Sequence, residues 1–390
     1  MGSYSNLLIN GYPICTTKNG YDETVVRLLF QADDFLSEVR SNSSRNPLVW
    51  GDDYKDDLRE YQFFGFRQTV KNCLRRLEIY GMSLKKAKAD FLQARKLAQE
   101  ESCVYDFSIL RVSFGAYLAE LKYILDNKLI QYDQLHGNLR DSLLSDELGI
   151  YGQSASAYLY CLLSTLPEDS YVEYDLTDVV EGGWVSENDL LRINFERIII
   201  LTEGKTDSEF IRGAMKLLNP ELIPYYHFID FNEYKMESNA SALGKLVMSF
   251  AAASVSHPMI AIFDNDTVGN MEMNRVDRSN LPNNIKVIRL PDIALAKRYP
   301  TIGPTGLKKM NVNGMACGIE MFLGEDVLLD GSRLMPVLWK GYIDREGKYQ
   351  GELQNKMLVQ EKFRAKLKSG LTRHMDCMNQ VLEKIFTAFY

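Results

Sequence analysis

Three acidic residues stand where apolar strands should end. In "RIIILTEGKTD", Glu203 follows a β-branched run, and in "MIAIFDNDTVG", Asp264 and Asp266 follow a second one. Alternate residues of an extended chain face the same way, so the Asp-x-Asp pair can turn two carboxylates toward one divalent ion. If the two runs are parallel strands of one sheet, all three acids converge at one edge. Crowding acids raises their pKa values by mutual repulsion unless a cation compensates. Hard oxygen donors, without sulfur or imidazole, suit Mg2+ or Mn2+ rather than zinc. The competing reading of Asp264 and Asp266 is a turn, since Asn265 and Gly269 are turn residues. A turn, however, requires neither acids at alternate positions after an apolar strand nor a matching glutamate on another.

Gly204-Lys205-Thr206 has the look of the end of a phosphate-binding loop. Such a loop needs a glycine five residues before Gly204, where this chain has Ile199 inside the strand, so an ATPase site is excluded here. Thr206 and Glu209 instead spell a T-x-x-E capping box, with Asp207 in the first helical turn. Asp207 is therefore read both as a helix-start acid and as a metal ligand. Lys356, in "GELQNKMLVQEKF", could stabilise charge developing on a scissile phosphate or simply be solvated. Arg67, Lys71 and Arg75 recur at i, i+4 and i+8 and continue into Arg76, Lys85, Lys86 and Lys88. That stripe could grip a phosphate backbone, or it could be the wet face of a helix.

The elements that must position these residues follow from pattern. A chain of 390 residues implies two or three domains. Residues 1–190 read as a hairpin around Asn10-Gly11 followed by a mainly α-helical domain. Phe63, Phe66, Val70, Leu74 and Leu77, and then Leu110, Phe114, Leu118, Leu121 and Leu125, recur three and four apart. The turn-rich "EGGWVSEND" follows. Residues 191–390 alternate strand and helix, which calls for an α/β domain with a mainly parallel sheet: strands at 197–202, 227–231, 259–263 and 285–290, helices at 207–218 and 240–254. Ligands of such sheets gather at the carboxyl ends of the strands. A Gly/Pro loop at 303–306, a hairpin in "GYIDREGKYQGEL" and helices near 353–368 and 373–389 complete the chain.

Composition narrows the classes. A net charge of -7 argues against binding nucleic acid by global charge, while leaving room for a local basic groove. The six cysteines are scattered with no C-x-x-C pair, so neither a disulfide framework nor a zinc ribbon is expected and a reducing cytoplasm is the simplest setting. The start of the chain lacks the basic and long apolar segments of a signal peptide. Residues 246–263 are broken by Ser254, Ser256, His257 and Pro258 and read as helix, break and strand rather than a membrane span.

A strand-end glutamate followed by a DxD after a later strand resembles the Toprim domain of topoisomerases, DnaG-type primases and OLD-family nucleases. "TEGKTD" and "FDNDTVG" supply Glu203, Gly204, Asp264 and Asp266; Asp207 matches the E-x-x-x-D spacing of the OLD type, and "GIEMFL" resembles its later acidic segment through Glu320. The resemblance spans residues 198–323. It implies a Rossmann-like fold, Mg2+ held by Asp264, Asp266 and Glu320, Glu203 as ligand or general acid/base, and hydrolysis of DNA or RNA phosphodiesters. The opening "MGSYSNLLINGYPI", a helical region and then this domain are similar to bacterial HEPN/Toprim proteins associated with defence against phage. HEPN ribonucleases carry Arg-x(4-6)-His, which none of His136, His227, His257 and His374 satisfies, so the first half is expected to be a scaffold, homo-oligomerising element or sensor. OLD nucleases carry an ATPase in the same chain. Any nucleotide control here would come from a separate ATPase or sensor protein in trans. A non-catalytic binding or assembly module is the alternative. A primase or topoisomerase fits less well, for want of a zinc ribbon or a strand-passage region.

Overall fold

A computed structural model describes residues 2–100, 111–130, 139–145, 147–229 and 237–390. The chain divides after Phe195 into two compact units. In the first, strands β1 (Tyr4–Ile9) and β2 (Tyr12–Lys18) form the expected hairpin. Its two-residue turn needs positive φ at both positions, and Asn10 (51°) and Gly11 (74°) provide it. With β3 (Phe35–Ser41), β4 (Glu60–Thr69) and β5 (Tyr171–Asp175) they make an antiparallel sheet ordered β2-β1-β5-β4-β3. Helices α1 (Val70–Ile79), α2 (Leu84–Glu100), α3 (Phe114–Asn127) and α4 (Ala155–Leu163) accompany it. Leu7, Ile9, Phe66, Val172 and Tyr174 of the sheet share one core with Leu77, Phe91, Tyr117, Leu121 and Leu162 of the helices.

This unit is therefore mixed helix and sheet, and the expected helical run through Phe63 and Phe66 is a strand. Residues three apart lie on one face of a helix but on opposite faces of a strand. Both phenylalanines are buried because both faces of β4 are covered: Phe66 by the helical core, Phe63 by the Arg40 guanidinium 3.4 Å from its ring centroid. The strand stops at Thr69, whose hydroxyl accepts from Asn72 N and caps α1. From Val70 onward the helical periodicity holds. Leu110 and His136 lie outside the described residues.

In the second unit, β6 (Ile198–Thr202), β7 (Tyr226–Phe228), β8 (Met259–Phe263) and β9 (Ile285–Arg289) form a parallel sheet ordered β9-β8-β6-β7. Leu201, Met259, Ala261 and Phe263 turn one face toward α6 (Ala240–Ala252) and α7 (Thr267–Asp277). Alternation sends Ile200, Ile260 and Ile262 to the opposite face, the side of α5 (Lys205–Leu218). After β6 the chain adds β7 on one flank and then β8 on the other. The order thus reverses between β6 and β8, the place where open α/β sheets leave a crevice at their carboxyl ends.

A second sheet comprises β10 (Tyr299–Gly303), β11 (Gly306–Met310), β12 (Val337–Ile343) and β13 (Lys348–Leu353), ordered β11-β10-β12-β13. The expected Gly/Pro loop at 303–306 is the tight turn between β10 and β11. Helices α8 (Lys356–Lys368) and α9 (Asp376–Phe386) follow. Among the described residues no helix is long and apolar enough to cross a membrane.

Ile260, fully buried at the centre of the parallel sheet, tests this packing. Ile260→Ala is expected to destabilise the second unit by about 2–5 kcal/mol, read as a lower urea midpoint at unchanged slope.

Candidate active site

Parallel register decides what meets at the crevice. Thr202 pairs with Ile262, so the next residues, Glu203 and then Asp264 one step further along, leave the sheet side by side. The Asp264 amide donates to Glu203 Oε1 at 2.8 Å. The helix that follows β6 starts at Lys205, two residues before the expected position, and Gly204 is its N-cap. Glycine has no side chain to cap with, so Thr206 and Glu209 do not form the expected box. Asp207 reaches back instead, accepting from Gly204 N at 2.9 Å. Glu209 faces away to a two-point pair with Arg364 of α8, at 2.7 and 2.8 Å.

Asp266 ends the Asp-x-Asp loop as the N-cap of α7, accepting from Gly269 N at 2.7 Å. Its other oxygen accepts from Gln350 Nε2 at 2.6 Å. Asn265, between the two aspartates, is buried and donates to Pro291 O and Asp292. Glu320, on a short 3-10 turn, is also buried; it accepts from Gln360 Nε2 at 2.9 Å, and Lys356 Nζ stands 3.9 Å from it. Lys356 and Gln360 lie one turn apart on α8, so a single helix face serves Glu320. Two bare backbone positions bring the carboxylates close. A β-carbon at Gly269 would stand 2.5 Å from the Asp264 carbonyl oxygen and 2.9 Å from Glu203 Oε1. One at Gly318 would stand 3.2 Å from both Asp264 Oδ2 and Glu320 Oε2.

Sequence reasoning missed Gln350 and Gln360. Neither belongs to a motif, and each meets its carboxylate across 84 or 40 residues of chain. On the opposite face of β13 from Gln350, the Tyr349 ring lies 5.0 Å from that of Tyr342 and 5.6 Å from that of Trp339, and both tyrosines are exposed.

A family model described as HEPN/Toprim N-terminal domain 1 matches residues 1–195, half of the chain. The chain belongs to the HEPN/Toprim family. No curated protein matches it significantly, and no solved structure does. The carboxylate site lies beyond the segment that carries the HEPN/Toprim match.

Within the matched segment the basic stripe does not form as one helix face. Arg67 is on β4, Lys71 and Arg75 on α1, and the strand-to-helix change at Thr69 breaks the spacing. Arg67 stacks 4.0 Å from the Tyr171 ring centroid; Arg75 lies 3.5 Å from Glu78; Lys71 is exposed. Arg76 is buried and donates to Arg27 O. The five cysteines among the described residues are free thiols.

Electrostatics make the carboxylate site of this HEPN/Toprim chain unusual. Burial, then the charges of Asp266 and Asp207, push Glu203 up to about 8 against the pull of the Asp264 amide and Lys356. Burial and then Glu320 push Asp207 up to about 7. Asp264 is raised well above the carboxylate range by burial and by Asp207, Glu203, Asp266 and Glu320. Lys356 loses charge stability to burial, but Glu320, Asp264, Glu352 and Asp207 outweigh that and hold its pKa above the ordinary value. A hard divalent cation suits this donor set, and Asp264 Oδ2 and Glu320 Oε2 both crowd Gly318, each 3.2 Å from where its β-carbon would stand. Among the described residues no three of these side chains close on a single point at ligating distance. Burial is the largest cause of each raised carboxyl pKa, and the neighbouring carboxylates add to it.

Carboxylates with raised pKa bind protons more tightly folded than unfolded. Their contribution to stability is full below about pH 4 and is lost as pH rises toward the folded values of about 7 and 8. Metal-free protein should therefore melt lower at pH 8 than at pH 5.5. Asp264→Asn, which removes a buried carboxyl whose folded pKa is raised, should raise the melting temperature at pH 8 and shift it less at pH 5.5. An equal shift at both values would show that its pKa is not raised.

Proposed function

We propose that this chain is a metal-dependent nuclease with an OLD-like Toprim site, acting on DNA or RNA phosphodiesters as an effector of anti-phage defence. The observation that carries the reading is the convergence of Glu203 and Asp264 at the switch point of a parallel sheet, with Asp207, Glu320 and Lys356 around them. Membership of the HEPN/Toprim family supports a nucleic-acid-related function.

Asp264 and Glu320, joined by Asp266 or Asp207, would hold Mg2+ or Mn2+. When bound, the cation supplies Lewis-acid stabilisation of the phosphate and a more acidic attacking water. Glu203, oriented by the Asp264 amide, would move a proton at the reacting phosphate. Lys356, 3.9 Å from Glu320, would stabilise developing negative charge. Gln350 and Gln360 hold Asp266 and Glu320 in orientation. On the face of β13 opposite Gln350, the exposed Tyr349 and Tyr342 rings, with half-buried Trp339 beside them, offer a stacking surface for an unpaired base of the substrate.

One observation favours a non-catalytic assembly module instead: both Asp266 oxygens are already engaged, in a helix cap and with Gln350. Cleavage of plasmid, single-stranded DNA, tRNA and total RNA with Mg2+, Mn2+ or EDTA separates the two. The nuclease reading expects cation-dependent cutting, abolished by Asp264→Ala and Glu203→Ala and reduced about 100-fold in kcat by Lys356→Ala. Cutting that survives EDTA or both alanine variants would overturn it. Absence of cutting by the wild-type chain, together with phage protection in cells that withstands both substitutions, would favour the assembly module.

The stacking surface makes a separate prediction. Tyr349→Ala should raise KM for single-stranded substrate about tenfold, in line with about 1–3 kcal/mol per stacked base, and leave kcat near the wild-type value.

A further inference from the structure

The face of the five-stranded sheet turned away from the helical core holds a cavity of about 490 Å3. That volume lies in the range of small-molecule sites. Arginine dominates its wall: Arg40 of β3, Arg45 just beyond it, and Arg67 of β4. Each guanidinium is laid on an aromatic ring. Arg40 lies 3.4 Å from the Phe63 centroid, Arg45 3.9 Å from Tyr61 and 4.6 Å from Trp50, and Arg67 4.0 Å from Tyr171. Gly65 makes room for this layer, since a β-carbon there would come within 2.7 Å of the Phe63 ring.

The three arginines are not equivalent. Arg40 is structural: it donates to Glu173 at 3.0 Å and to Glu38 at 2.8 Å. Arg67 reaches Glu173 only at 4.0 Å. Arg45 has no carboxylate partner among the described residues; its Nε donates to Asn42 Oδ1 at 2.8 Å. The planes of Arg45 and Arg67 are thus fixed by rings while their charge is little answered by protein. A planar fork held this way is preorganised for an oxyanion, above all a phosphate. Ser43 adds a hydroxyl at the rim, while Glu173 and Asp175 add acceptors on the sheet. Bare sulfate or phosphate would find the acceptors hostile. A molecule carrying both an anion and hydrogen-bond donors uses the whole wall.

We infer that this cavity binds a nucleotide, its phosphate on Arg45 and Arg67, its sugar or base donors toward Glu173 and Asp175, and its base beside Tyr61 or Tyr171. The inference concerns the first unit alone and stands whether or not the carboxylate site cuts nucleic acid. The same chemistry could be presented by a free nucleotide or by the phosphorylated end of a strand, and the test separates them.

Full-length protein in EDTA, which silences any cation-dependent cleavage, is titrated by calorimetry with adenine and guanine mono-, di- and triphosphates, the matching nucleosides, inorganic phosphate, and oligonucleotides with 5′-phosphate or 5′-hydroxyl ends. Saturable binding of a nucleotide or of the 5′-phosphorylated strand is expected, with the unphosphorylated counterpart and inorganic phosphate at least tenfold weaker. Arg45→Gln and Arg67→Gln should each weaken it tenfold or more, and Arg67→Lys by less. Arg67 is exposed and holds one long ion pair, so its variants should melt with the wild type. The inference falls if the wild-type chain binds none of the phosphorylated ligands at millimolar concentration. It falls equally if nucleosides bind as well as nucleotides, or if correctly folded Arg45→Gln and Arg67→Gln bind undiminished.

Discussion

Burial of several carboxylates together at one sheet edge governs the construction of the second unit. Glu203 and Asp264 arrive together because parallel strands in register leave them no alternative; Asp207 and Asp266 follow in the same two segments and Glu320 closes in from a third stretch. Like charges at such range cannot all ionise without compensation. What surrounds them is compensation: backbone amides at Glu203 and Asp207, a helix N-terminus and Gln350 at Asp266, Gln360 and Lys356 at Glu320. Helix α8 brings two of these groups, and it is anchored on α5 by the Arg364–Glu209 pair and by the edge contact of Phe210 with Phe363 at 5.1 Å. The scaffold and the site are therefore one problem in electrostatics.

The first unit solves a different one. Its sheet buries one face under helices, as an antiparallel sheet readily does, and must cover the other with something soluble. Arginine laid flat on aromatic rings does this: the ring is shielded from water and the guanidinium keeps its outer donors. The surface that results is both a lid for Phe63 and a patterned array of donors.

Legibility from sequence followed the range of the interaction. The strands at 198–202 and 259–263 and the parallel sheet were readable because burial on both faces demands continuous apolar runs. Glu203, Asp264 and Asp266 were readable because they stand immediately after those runs. The strand through Phe63 and Phe66 was not, since a strand covered on both faces imitates helical spacing over so short a stretch, and the cover on one face is an arginine that hydropathy counts as polar. The basic stripe does not share one helix face, being a pattern that straddles a strand and a helix. Asp207 was placed in the right turn, but the capping box was assigned to Thr206 and Glu209, because a glycine N-cap leaves the reciprocal bond to the third helical residue. Gln350 and Gln360 carry no local signal at all; only the completed tertiary fold gives an amide there a carboxylate to meet.

The reach of Gln350 has a consequence for how this half of the protein can be divided. Its side chain donates to Asp266 and accepts from the amides of Thr267 and Val268, so the first turn of α7 is completed by a hairpin more than eighty residues downstream. A fragment ending near residue 323, where the recognisable motifs stop, would lack that hairpin as well as Lys356 and Gln360. The smallest heritable block that preserves the site is therefore the whole span from β6 through α8. Recombination that exchanged only the motif-bearing strands between relatives would transplant the acids without the groups that make their company tolerable.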